Sequence, residues 1–171
     1  MESITFQFDK KKAVETIVYL VARVKNPDVY SICKLIYLAD KTNLEKYGRF
    51  IFGEQYCAMK EGATPSNAYD LIKEGSPLTR DAFEIKGHLI VALREANLDF
   101  FSQSDIESLD QIIKIYEALP NWRKREDAHD AAWKFCWGLR GSKRSVPIPV
   151  EKIIELFDDN DDLISYLKNI G

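Results

Sequence analysis

Val14, Ile17, Val18, Val21 and Val24 recur at helical spacing behind Asp9, and Asn26-Pro27 closes the run. A side-chain cap followed by this period predicts an amphipathic first helix. Asp28 is a second cap, and the pattern continues from Val29 through Ile32, Leu35, Ile36 and Ala39 to Leu44, with Gly48 following Tyr47 in the place of a left-handed C-terminal cap. The centre of this second helix, Leu-Ile-Tyr-Leu-Ala at 35–39, is apolar on nearly every face, the mark of a helix surrounded by protein. Leu35, Ile36, Leu38 and Ala39 therefore read as core, the larger side chains contributing about 1.5–3 kcal/mol each when buried. Asp40 to Arg49 reads as the stretch where the helix leaves that core and where a recognition surface begins.

Beyond Gly48 the apolar runs shorten and are broken by Gly53 and Gly62, the pattern of one or two brief strands. Thr64-Pro65 reads as a hydroxyl cap with proline at the first helical position, opening a short helix through Ala68, Tyr69, Leu71 and Ile72 to Gly75. Residues 82–93 alternate, turn at Lys86-Gly87 and return as His-Leu-Ile-Val-Ala-Leu, which predicts a hairpin. Ser104 with Glu107 forms a capping box for a helix carrying Ile106, Leu109, Ile112, Ile113, Tyr116 and Leu119 up to Pro120. From Asn121 a further helix carries Trp122, Ala128, Ala132, Trp133, Cys136 and Trp137 and fades at Gly138. The stretch at 141–149 reads as loop by composition. Val150–Phe157 and Asp161–Ile170 read as two closing helices, the aspartates sitting at the positive end of the second. The sum is a mainly helical α+β domain of six to seven helices with a small antiparallel hairpin or sheet. With no long linker, repeat or low-complexity segment, residues 1–171 form one domain.

Composition sharpens this picture without changing it. Hydrophobic residues at 46% and charged residues at 30% are the balance of a folded chain rather than a disordered one. The formal net charge of -3 speaks against a dedicated nucleic-acid binder. A basic stretch nevertheless runs from Trp122 to Arg144, with Arg123, Lys124, Arg125, Lys134, Arg140, Lys143 and Arg144; Glu126-Asp127 interrupts it. Cys33, Cys57 and Cys136 are widely separated, which is neither a disulfide framework nor a zinc site. The N-terminus has no apolar signal segment and no run reaches membrane-spanning length, so the expected location is the cytoplasm and no membrane is involved.

Chemistry-bearing motifs are sparse. Phosphate loops, dinucleotide fingerprints, zinc-protease motifs and nucleophile elbows do not occur. His88 lies in the hairpin without ligating neighbours. His129, Trp133 and Trp137 fall at i, i+4 and i+8, which places them on one helical face if the helix from Asn121 is continuous. An enzymatic reading would make His129 a general base, with Glu126 or Asp130 orienting it and Cys136 as nucleophile. Two helical turns separate His129 from Cys136, about 10 Å by axial rise, too far for direct proton transfer. The residues thus supply no catalytic set, no metal set and no cofactor.

The order of short motifs is more informative than any one of them. Lys34, Leu35 and Tyr37 lie within the second helix; Tyr47, Gly48 and Arg49 end it. Gly62, Pro65 and Tyr69 mark a strand-to-helix transition, and His129 is followed four residues later by Trp133. This arrangement, from about Phe8 to Phe157, resembles the Panacea domain family, the SocA-like and GepA-like antitoxin domain found also in phage-associated proteins. The family's Gly-Pro pair is interrupted here by Ala63 and Thr64. The resemblance implies a non-enzymatic antitoxin that neutralises a cognate toxin by direct binding, the toxin being encoded by a neighbouring gene. The alternative it implies is an adaptor that delivers its partner to a protease. Lys41, Lys46, Tyr47, Arg49, Tyr56 and Lys60 are the expected contact residues. Lys34, Leu35, Tyr37, Gly48, Gly62, Pro65, Tyr69, His129 and Trp133 are expected to serve structure. A His129-dependent hydrolase and a nucleic-acid-binding regulator are the remaining readings.

Overall fold

A computed structural model describes residues 3–124 and 126–171, apart from the side chain of Trp122. The basic aromatic face expected around Trp122 and Arg125 therefore falls partly outside the described residues. The chain runs α1 (Lys10–Val21), α2 (Val29–Tyr47), β1 (Tyr56–Met59), β2 (Gly62–Pro65), α3 (Ser66–Lys73), β3 (Phe83–Lys86) and β4 (Leu89–Ala92). It continues with α4 (Gln103–Ala118), the single turn α5 (Asn121–Lys124), α6 (Ala131–Gly138), β5 (Val146–Ile148), α7 (Val150–Ile154) and α8 (Asn160–Ile170). This is the expected mainly helical α+β domain.

Helix α2 is its axis. Asp28 caps it by accepting a hydrogen bond from the Ser31 amide, and Gly48 ends it at φ +69°, a left-handed conformation that glycine adopts without penalty. Its sides pack against α1, α3, α4, α7 and β2. Leu35, Tyr37, Ala39 and Leu44 are fully buried, and so are the polar Asp40 and Asn43. The helix thus stays inside the core for a full turn beyond Ala39, which corrects the expectation that it emerges at Asp40. Leu38, expected in the core, is only half-buried.

The sheet has three strands in the order β2-β1-β5, all antiparallel. Strand β5 lies in the stretch expected to be loop: Val146 pairs with Ala58 and Ile148 with Tyr56, while Pro147 sits on an edge strand where its missing donor is tolerated. Strands β3 and β4 form the expected hairpin, with the two-residue turn at Gly87-His88 rather than at Lys86-Gly87.

Three helix starts differ from the sequence reading. For α3, Thr64 belongs to β2, Pro65 holds the cap position, and the cap is supplied by Glu54, whose carboxylate accepts from the amides of Asn67 and Ala68. For α4, the capping box is Ser102 with Asp105, two residues before the expected pair. The helix expected from Asn121 is broken; α6 starts afresh after Asp130, whose side chain accepts from the Trp133 amide at 3.0 Å.

Candidate functional site

The sequence motifs meet where α2, the β1–β2 turn and α6 come together. Asp130 is the junction. Its Oδ2 accepts from the Tyr37 hydroxyl at 2.7 Å and from Lys41 Nζ at 2.9 Å, while Oδ1 caps α6. One carboxylate therefore ties the middle of α2 to the start of α6. Burial, then the adjacent Asp130 charge and hydrogen bond, push the Tyr37 hydroxyl far up, so it stays a donor.

Trp133 extends the junction to the sheet: its indole N–H donates to the Met59 carbonyl at 2.7 Å. His129 packs edge-on against Trp133 with ring centroids 4.4 Å apart, and its Nε2 lies 3.3 Å from the Lys60 carbonyl. Trp133 in turn stacks on Trp137 at 5.7 Å, and the Arg140 guanidinium lies 4.1 Å from the Trp137 centroid. The three rings form the expected row even though His129 precedes the helix instead of riding on it. Beneath them the Ala63 amide donates to the Ala128 carbonyl at 2.9 Å. Gly62, at φ +122°, permits this approach, since a Cβ there would stand 2.8 Å from that of Ala128.

Two clefts open beside this junction. One, of about 870 Å³, is lined by Asp28, Lys34, Tyr116, Lys124 and His129 among others; the other, of about 450 Å³, by Met59, Lys60, Tyr69, Trp137, Lys143 and Arg144 among others. Tyr30 and Glu61 belong to both, so the clefts adjoin.

The residues expected to make contact divide into three groups. Lys41 and Lys60 lie at the junction, Lys41 half-buried in its ion pair and Lys60 exposed. Lys46, Tyr47 and Arg49 lie at the far end of α2 and reach across to α4. There Lys46 bonds Gln111, the exposed Tyr47 donates to Glu107 at 3.1 Å, and Arg49 pairs with Asp105 at 2.9 Å. Gly48 packs beneath α8 against Leu163 and Tyr166. Tyr56 is corrected: it is 2% exposed, with its ring against Tyr37 and Phe50 and its hydroxyl donating to Asp40 at 2.6 Å. The β-pleat turns its side chain inward, so it belongs to the core and to no surface.

Four buried acids among the described residues, Glu15, Asp40, Glu54 and Asp105, escaped sequence reading. Burial pushes Asp40 up to about 7 against the hydrogen bonds from the Ile51 amide and Tyr56. Burial likewise raises Glu54, despite the amides of Gln55, Ala68 and Asn67 that it accepts from. For Asp105 burial is again the largest influence and acts upward, but the Lys12 hydrogen bond, the Ser102 amide and the charges of Lys12 and Arg49 outweigh it, and the net shift is downward. Asp130, read from the sequence only as an orienting partner of His129, had a signal for its capping role: an aspartate three residues before an aromatic helix position fits an N-cap.

Among the described residues, Cys33 and Cys136 are not activated as nucleophiles. Both are buried and their thiols are pushed up by burial, the opposite of a reactive thiolate. The Cys57 sulfur receives the Ser66 hydroxyl at 3.0 Å. Among the described residues, no group of three or more His, Cys, Asp or Glu side chains is placed to hold a metal ion, and no helix is long and apolar enough to cross a membrane.

The fold and its junction thus define a small, mainly helical α+β domain whose aromatic, histidine and lysine motifs lock three elements together beside paired surface clefts. Residues 32–134 match the family described as antitoxin SocA-like, Panacea domain, and the chain belongs to that family. No curated protein and no solved structure matches it.

Proposed function

We propose that this protein is an antitoxin that neutralises a cognate toxin, encoded by a neighbouring gene, by binding it directly and without catalysis. Membership of an antitoxin-like family supports the reading. The observation that carries it to this chain is the use made of its chemistry-bearing motifs. Tyr37, Lys41, His129 and Trp133 are engaged in fixing the junction, and what the junction presents outward is a pair of adjoining clefts around the exposed Tyr30. Aromatic side chains on a rigid support are the usual anchors of protein interfaces, and a contact of about 1,600 Å² in total is enough for tight inhibition.

The test is co-expression with the reading frame beside this gene. The frame alone is expected to arrest growth; the pair is expected to grow and to co-purify. A neighbour that is harmless on its own refutes the reading. The toxin's abundance in rescued cells separates the two modes of action: an unchanged level means occlusion, and a level that falls until a host protease is removed means delivery for degradation.

A further inference from the structure

We propose that the 450 Å³ cleft binds an acidic segment of a protein partner, an aromatic side chain of that segment seating among Tyr30, Tyr69 and Trp137 while its carboxylates meet Lys60, Lys143 and Arg144. The inference deepens the contact-acting reading and rests on it for the identity of the partner, but its physical basis is separate.

The first argument is charge. Most lysines and arginines near buried acids are already paired: Lys12 and Arg49 with Asp105, Lys41 with Asp130, and Arg94 with Glu15. Lys60, Lys143 and Arg144 take part in no ion pair among the described residues. They share one concavity in which Glu61 is the only carboxylate among the lining residues. Three cations around an aromatic floor, on a chain of formal net charge -3, form a local positive site against an acidic background. Such a site attracts and orients an anionic ligand segment.

The second argument is preorganisation. Trp137 is held by its stack on Trp133, which the Met59 carbonyl fixes in turn, so one wall of the cleft is rigid before any ligand arrives. Binding on a fixed wall loses less conformational entropy than binding on a mobile one. The volume falls within the roughly 300–1,000 Å³ of ordinary ligand pockets, ample for a single aromatic side chain. Tyr30, 49% exposed at the rim, can close over such a side chain.

The third argument separates a protein segment from a nucleic acid. Single-stranded nucleic acid needs open aromatic faces on which successive bases stack. The Trp137 ring already stacks on Trp133 and carries the Arg140 guanidinium, so it offers no open platform for a run of successive bases, whereas the single aromatic side chain of the proposed segment seats against Tyr30 and Tyr69 beside it.

The experiment selects random peptides displayed on phage against the purified full chain and measures the enriched sequences by fluorescence polarisation. Enriched peptides are expected to combine Asp or Glu with an aromatic residue. Their affinity is expected to fall at least tenfold in the triple variant Lys60→Glu, Lys143→Glu, Arg144→Glu, and also in Tyr69→Ala, while both variants keep the wild-type circular dichroism spectrum. Reversing the charge of side chains that form no ion pairs leaves the core intact, so loss of binding there does not report unfolding. Failure to enrich acidic peptides, equal binding by the folded triple variant, or displacement by an oligothymidylate at matching concentration each overturns the proposal. The outcome is independent of the toxin test. A harmless neighbouring frame with intact peptide selection removes the antitoxin reading and leaves the cleft. Growth rescue by the triple variant, with peptides that ignore the mutations, does the reverse.

Discussion

At the scale of single residues, the buried acids give the protein two opposed responses to pH. Asp40 is fully buried and pushed up to about 7, so the folded state holds its proton over a range in which the unfolded chain has lost it. Its contribution to stability is complete below the unfolded value of about 4 and is lost as pH rises towards 7. Asparagine can replace the protonated acid, its oxygen accepting from the Ile51 amide and its NH2 donating to the Tyr56 hydroxyl oxygen once that hydroxyl turns from donor to acceptor. Asp40→Asn is therefore expected to flatten the fall in melting temperature between pH 4 and 7, read by differential scanning calorimetry across a buffer series; an unchanged slope assigns the effect elsewhere. Asp105 runs the other way. Its net shift is downward, so its contribution is present above about pH 4 and lost as pH falls below that. With no exposed surface of its own, it holds Lys12 at 2.6 Å and Arg49 at 2.9 Å. Asp105→Asn leaves those two cations without their charge partner at neutral pH and is expected to cost about 3–5 kcal/mol in urea unfolding. Neither acid was legible from sequence, because a lone aspartate in a helix gives no local sign of which distant cation or tyrosine it will meet.

Elements were legible where their boundaries are set locally. Asp9, Asp28 and Gly48 mark the ends of α1 and α2 because each acts on backbone within a few positions. Legibility failed where the deciding partner is remote. Ser102 with Asp105 and Ser104 with Glu107 both satisfy the capping-box rule. The first is used because Asp105 is also drawn to Lys12 and Arg49, and Arg49 reaches the hydroxyls of both Ser102 and Ser104. The cap of α3 comes from Glu54, 13 positions before Asn67, and β5 is a strand only because β1 is there to pair with it. The β1–β2 turn shows what such remote contacts demand. Gly62 faces Ala128 so closely that Gly62→Ala must move one backbone or the other, in addition to its strained φ of +122°. The substitution is expected to cost about 1–3 kcal/mol, lowering the melting temperature by several degrees. It should also change tryptophan emission, since Trp133 is bonded to Met59, the β1 residue paired with Gly62. A variant that melts like the wild type would mean that the turn is not held against Ala128 in solution.

For the whole molecule, the family match and the physical domain have different boundaries, and that difference has consequences for both stability and recognition. The match covers residues 32–134, yet the core cluster also includes Val14, Ile17, Val18 and Leu20 from α1, Ile148 from β5, and Ile153 and Ile154 from α7. Without α1 and α7, α2 loses partners on two sides, and without β5 one edge of β1 is uncovered. A fragment of residues 32–134 is therefore expected to unfold without a sharp transition and to bind the dye ANS, whereas the full chain melts cooperatively. A fragment with a cooperative melt and dispersed amide resonances would show that the flanking elements are accessory. The same boundary divides the proposed binding cleft. Lys60 and Tyr69 lie within the matched region, while Tyr30, Trp137, Lys143 and Arg144 lie outside it. The shared region thus supplies the junction that fixes the cleft, and most of the side chains that would choose a partner come from flanking segments. A domain built this way can keep its packing while its partner changes, because the exposed Tyr30, Lys143 and Arg144 are substituted at little cost to a core they do not support.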